Sequence, residues 1–144
     1  MESLYLKQTD RGADQWELSS SIARLREDEK AAYLDLPHLE LYKGGHPASR
    51  ASSIKGKIFL GSNDIRLSSA VIVSSLRDKT VIRTSVLSYS SKSKELWTDA
   101  PVTLEKPGVV THGRGLRAAP DLSEITIFKQ ESEVEGGKKE KLKG

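Results

Sequence analysis

Between Ile54 and Phe128 apolar and polar residues alternate in short runs, and each run is cut off by residues suited to turns. Ile65, Leu67, Ser69, Val71 and Val73 share one face if that segment is extended, and Val81 to Tyr89 follows after Arg77-Asp78-Lys79. Fourteen of the sixteen valines and isoleucines fall in this span, and β-branched side chains suit a pleated, half-buried strand. Further turns are predicted at Gly44-Gly45, Ser62-Asn63, Ser90 to Lys94, Asp99-Ala100-Pro101, Lys106-Pro107-Gly108 and Pro120-Asp121. Each supplies a positive φ, a fixed φ or a side chain that bonds its own backbone. Gly113-Arg114-Gly115 reads as a bulge or tight bend beside a strand, where the backbone turns without a Cβ. The pattern predicts an all-β fold.

The first third admits two periods. Leu18, Ile22, Leu25, Ala32 and Leu36 recur at helical spacing, whereas Trp16, Leu18, Ser20 and Ile22 alternate. Glu27 to Lys30 makes a polar turn, and Pro37 inside Tyr33 to Tyr42 would break a helix. Two strands are therefore the preferred reading.

With 144 residues the chain suits one domain. Its 36% hydrophobic content gives a thin core, as in a layered fold. The predicted layout is a flexible N-terminal segment over residues 1–13, a β domain over 14–130 and a disordered charged tail over 131–144, which has little to bury. The formal charge of +3 is uneven: Lys and Arg exceed Asp and Glu by eight in residues 43–94, while residues 1–42 carry a deficit of four. A basic segment of that kind attracts anionic partners. No run reaches the roughly 18 apolar residues of a membrane helix, and Met1-Glu2-Ser3 does not open a signal peptide.

Reactive constellations are hard to assemble from these residues. There is no cysteine, and His38, His46 and His112 follow no metal-ligand spacing, although His38 and His46 could meet across a hairpin. None of the nineteen serines sits in a nucleophile elbow. Asp99 precedes Ala100-Pro101, a turn-starting position rather than an acid–base one. Gly113-Arg114-Gly115 lacks the third glycine of a dinucleotide loop. The basic segment offers only Phe59 and Tyr89 for base stacking, which argues against a nucleic-acid partner. Neither catalytic residue, nor metal, nor cofactor is predicted. What remains is a stack of amphipathic strands, able to hold something apolar along its inner face if that face stays open.

Several segments, taken in order, carry a family resemblance. These are W-E-L-S-S-S-I-A-R-L at 16–25, L-D-L-P-H-L-E-L-Y at 34–42, V-I-R-T-S-V-L-S-Y-S-S-K-S-K-E-L-W-T-D-A-P-V-T-L at 81–104 and H-G-R-G-L at 112–116. Their order and spacing resemble the LptC family of periplasmic lipopolysaccharide export proteins, over roughly Leu4 to Phe128. The resemblance implies an open antiparallel β-jellyroll, a twisted two-layer trough without catalysis. It implies a relay that accepts lipopolysaccharide from an inner-membrane ABC transporter (LptBFG-like) and passes it to the next periplasmic LptA-like jellyroll. It further implies a periplasmic protein anchored to the inner membrane, so that Met1 would begin a soluble piece of a longer chain.

Carried onto this sequence, the resemblance assigns a lipid-lining face to Leu34, Ile58, Leu60, Leu67, Val71 and Val73. Val86, Leu96, Val102, Leu104 and Ile127 continue it. Arg66, Arg77 and Arg83 are assigned to head-group phosphates. Trp16, Leu18 and Ile22 are assigned to a partner edge on the transporter side, and Ile125 and Ile127 to one on the downstream side. Two rival readings stand beside the relay. One is a structural adaptor jellyroll that bridges envelope proteins without binding lipid; the other is an enzyme on a β scaffold, built on Asp99 or His112.

Overall fold

Turn residues recur every ten or so positions, and alternating strands lie between them. The computed structural model describes residues 2–134 and 138–142, of which none is helical. Twelve strands follow one another: β1 (Glu2–Asp10), β2 (Ala13–Arg26), β3 (Ala31–Asp35), β4 (His38–Lys43), β5 (His46–Ser52) and β6 (Lys55–Phe59), then β7 (Asp64–Ser75), β8 (Val81–Ser90), β9 (Glu95–Lys106), β10 (Val109–Ala118), β11 (Ile125–Val134) and β12 (Lys138–Leu142). All belong to one antiparallel sheet. The strand reading of residues 17–36 holds, with the polar turn at 27–30 between β2 and β3.

The long strands change partners halfway. β2 pairs with β4 through 16–19 and with β3 through 22–26; β7 pairs with β6 through 64–68 and with β5 through 72–75. β3 and β4 thus act as one strand broken at Leu36-Pro37, and β5 and β6 as one broken at Ser53-Ile54. In sheet order the molecule is a meander from β1 to β12, creased across its strands and folded onto itself as two layers. The first layer holds β4, β5 and the neighbouring halves of the long strands. The second holds β3, β6 and the other halves. The result is an open antiparallel β-jellyroll, with free edges instead of a closed barrel.

The crease is made by register shifts, which bend a strand and break its alternation. In β7, Ser69 (φ 67°) and Ala70 (φ 55°) are inserted between Ser68, opposite Val86, and Val71, opposite Thr84. In β10 the shift falls at Gly115, whose φ of 84° suits glycine. In β9 it falls at Asp99-Ala100, so the turn predicted at Asp99-Ala100-Pro101 is instead a kink inside a twelve-residue strand. Local turn chemistry operates there, since the Ala100 amide donates to Thr98 Oγ1 at 3.1 Å, but pairing on both sides keeps the chain extended.

Two further expectations about the chain ends change. Residues 2–10 are a paired strand rather than a flexible lead-in, because Leu4 and Leu6 pack against the core and β1 pairs with β2 along its length. Of the predicted disordered tail, 131–134 complete β11 and 138–142 pair with it. In that register Glu131 falls opposite Lys141 and Glu133 opposite Lys139. Residues 135–137 and 143–144 of that tail lie outside the described residues.

Candidate functional site

Directly opposed residues in an antiparallel pair point to the same side, so the register defines the faces. On the inner side of the first layer one row runs Leu6, Leu18, Leu39, Ala51, Val73, Ile82, Leu104, Thr111 across eight strands. At about 4.8 Å per strand this apolar ladder is roughly 34 Å long. On the second layer the matching row runs Leu25, Ala32, Ile58, Ile65, Tyr89, Leu96, Ala118, Ile125. Beside it stand Leu34, Leu67 and Leu87. The middles of the ladders are buried against each other, from Leu18 at 0% exposure to Ile82 at 1%. Leu25, at the end of the second ladder, is 57% exposed.

Of the predicted lining residues, Leu34, Ile58, Leu67, Val71, Val73, Leu96, Val102 and Ile127 belong to this buried cluster, and Leu104 packs on its flank. Two do not. Leu60 would face inward if β6 continued, but the strand ends at Phe59; Leu60 sits in the following turn, 42% exposed, its amide donating to Lys30 O. Val86 lies past the β8 crease, where the shift between Thr84 and Ser88 reverses the alternation, so Leu87 takes the inward place.

The edge and head-group assignments are also rearranged. β2, which carries Trp16, Leu18 and Ile22, is paired with β1 on one side and β3 and β4 on the other; the free edge there is that of β1. Ile125 and Ile127 do lie on an outer strand, since β12 pairs only with residues 130–134 of β11. Arg66 and Arg83 point to the outer faces of different layers, and Arg83 pairs with Glu105 at 3.1 Å. Arg77 is at the β7–β8 turn beside Asp78. The three do not form one cluster. Asp99 is exposed in the β9 kink, and His112 Nδ1 lies 3.2 Å from Thr103 Oγ1. His38 and His46 lie at opposite ends of the β4–β5 hairpin. Among the described residues no group of His, Asp and Glu is placed to hold a metal.

Sequence reasoning missed the polar latch that closes the lips of the two layers. Gln15 is an extra residue between Trp16, opposite Gln8, and Asp14, opposite Thr9. That bulge turns Gln15 and Trp16 inward together, and both are buried. Trp16 Nε1 donates to Ser91 Oγ at 3.0 Å, and Gln15 Nε2 donates to Ser91 O at 2.8 Å and to the Tyr89 hydroxyl at 3.0 Å. Ser91 Oγ donates to Asn63 O at 2.6 Å, Asn63 Nδ2 to Gln8 Oε1 at 2.8 Å, and Gln8 Nε2 to Gln15 Oε1 at 2.8 Å. The ring joins β1 and β2 to the β6–β7 and β8–β9 turns. Burial raises the Tyr89 hydroxyl above its usual pKa, so it stays protonated.

A second clasp lies further along the same lips. Lys43 reaches Asp121 at 3.1 Å, and Ser49 Oγ donates to Pro120 O at 2.6 Å. Burial alone would raise the Asp121 carboxyl. The Ser123 hydroxyl and amide, then Lys43, outweigh it and hold Asp121 at about 2.

The arrangement is an apolar interior between two latched layers. Among curated proteins, no sequence matches the chain. The family model described as lipopolysaccharide-assembly, LptC-related matches residues 3–132, from the first strand into β11. An all-β jellyroll with an apolar inner face, matched along nearly its whole length, belongs to the LptC-related family, a non-enzymatic family of lipopolysaccharide transport.

Proposed function

We propose that this protein is a periplasmic relay for lipopolysaccharide, taking the lipid from an inner-membrane ABC transporter and passing it to the next jellyroll. The observation that carries the reading is the pair of inner ladders, continuous across eight strands and lined by Leu18, Leu39, Val73 and Ile82 on one layer and Ile58, Ile65 and Leu96 on the other. Acyl chains gain roughly 25 cal/mol per Å² on leaving water, so they can compete with the contact of one ladder on the other. The exposed end at Leu25 is where such a chain would enter. The free edge of β1 and the uncovered part of β11 suit strand-by-strand addition of a jellyroll upstream and downstream. No helix among the described residues is long and apolar enough to cross a membrane.

The rival reading is an adaptor that bridges envelope proteins with its interior shut. The burial of Trp16 and Tyr89 behind the latch favours it. A photo-crosslinking residue at Leu104, on the flank of the inner ladder, separates the two. During transport in intact cells it should capture lipopolysaccharide, whereas the same probe at Val86 should not. Capture at neither position would sink the relay and leave the adaptor.

A further inference from the structure

Three corners of the crease lie side by side and push apolar side chains into solvent. The Leu36 amide donates to Ile54 O at 2.9 Å, and the Ile54 amide donates to Ser69 O at 2.9 Å. Leu36 is 54% exposed and Ile54 49%, with exposed Ala70 next to Ser69. Leu36 also has a φ of 51°, in the left-handed region where a side chain with Cβ is strained. A strained backbone that presents a leucine to water disfavours the free chain twice over.

The ground beside this crest is basic. Lys55 follows Ile54, and with Arg24, Lys57 and Arg66 it borders a cleft of about 400 Å³ on the outer face of the second layer. Asp35 pairs with Lys55 at 2.7 Å and Arg24 at 3.0 Å, and Glu29 with Lys57 at 3.2 Å, while Arg66 has no ion pair among the described residues. Lys57 Nζ lies 4.8 Å from the ring centres of both Tyr33 and Phe59. On the outer face of the first layer acids match the cations: Glu40 takes up Arg50 at 3.5 Å, Glu105 takes up Arg83 at 3.1 Å, and Glu17 accepts from the Tyr42 hydroxyl at 2.9 Å. Lys55, Lys57 and Arg66 come from the segment with eight excess cations, so part of that charge is gathered on one side of the crest.

We propose that the crest of Leu36 and Ile54, with the cationic cleft beside it, is a docking surface for an anionic bilayer, the two apolar side chains entering the lipid interface. Apolar residues flanked by Lys, Arg and aromatic rings match what an interface asks of a peripheral protein, and the charge complements acidic head groups. Docked this way, the crease and the second layer lie on the membrane and the lips point away from it. The surface is separate from the inner ladders and does not depend on what they carry.

The test is co-sedimentation of the protein with vesicles of phosphatidylcholine alone or mixed with phosphatidylglycerol, across a salt series. Binding should need phosphatidylglycerol and weaken steeply with salt. Lys55→Glu with Arg66→Glu should weaken it at least about tenfold, since each basic residue near an acidic surface contributes. Leu36→Asn should weaken it about fivefold while keeping or raising the melting temperature, because asparagine tolerates the left-handed region and lacks the apolar group. Arg50→Glu, on the opposite layer, should bind as the unchanged protein does. Equal losses for Arg50→Glu would reduce the effect to net charge and overturn the proposal. So would full binding by the Leu36 variant, or capture by polyglutamate without any capture by vesicles, which would assign the face to an acidic protein.

Discussion

Replacing Ser91 by alanine probes how the two lips are held together. Its hydroxyl accepts from Trp16 Nε1 at 3.0 Å and donates to Asn63 O at 2.6 Å. Trp16 is only 2% exposed, so the indole N–H left behind has no route to water. A buried donor without a partner costs about 1–3 kcal/mol, and the bond lost to Asn63 adds about 1 kcal/mol. The backbone of Ser91 keeps its bonds from Gln15 and to Asp64 Oδ1. Ser91→Ala should therefore cost about 2–4 kcal/mol. Trp16→Phe removes the same donor from the other side at about 1–2 kcal/mol, including the void left by the smaller ring. Once either partner is gone the second loss is smaller, so the double variant should fall about 1–2 kcal/mol short of the sum. Urea unfolding followed by circular dichroism measures this as midpoint shifts at constant slope. Additivity within about 0.5 kcal/mol would refute the reasoning, because the lips would then be held by packing alone.

At Gly113 an added Cβ would lie 2.2 Å from Ile127 Cγ2 and 2.5 Å from Lys129 O, and the carbonyl belongs to a paired strand that cannot swing away. Gly113→Ala should lower the urea midpoint by the equivalent of about 3 kcal/mol, with a loss under about 0.5 kcal/mol ruling out so close a packing of β10 on β11. Asp121, held at about 2 in the fold, contributes stability that is fully present above the unfolded value of roughly 3.9 and is lost as pH falls toward 2. Asp121→Asn should thus lower the melting temperature at neutral pH, and the gap to the parent protein should close in melts taken from about pH 4 down to about pH 2. A gap that stays constant over that range would remove the charge of Asp121 from the clasp.

Strand existence was legible because alternation and turn chemistry are local. The runs around Val73, Ile82 and Leu104 form strands, and Gly44-Gly45, Ser90 to Lys94 and Pro107-Gly108 lie at hairpin turns. The basic excess of residues 43–94 was readable as a count, but not the side of the molecule it would occupy. Asp99-Ala100-Pro101 had the makings of a turn and became a kink, because β8 and β10 hold β9 extended on both sides. Val86 changed faces for a related reason. Whether an extra residue in one strand reverses its alternation depends on what its neighbour does, and that neighbour is distant in sequence.

By itself, then, the sequence determined that this protein is all-β, in which order its strands come and, through that order, to which family it belongs. Periodicity, turn chemistry and spacing act over a few residues and survive without knowledge of the rest of the chain. Only the tertiary structure decided where the sheet creases, which strand is left as an edge, and that Gln15 and Trp16 close on Ser91. Trp16 and Ser91 stand 75 positions apart. The bond between them exists because a bulge in β2 and the fold of the sheet bring both to the same lip, and no window along the chain contains both causes.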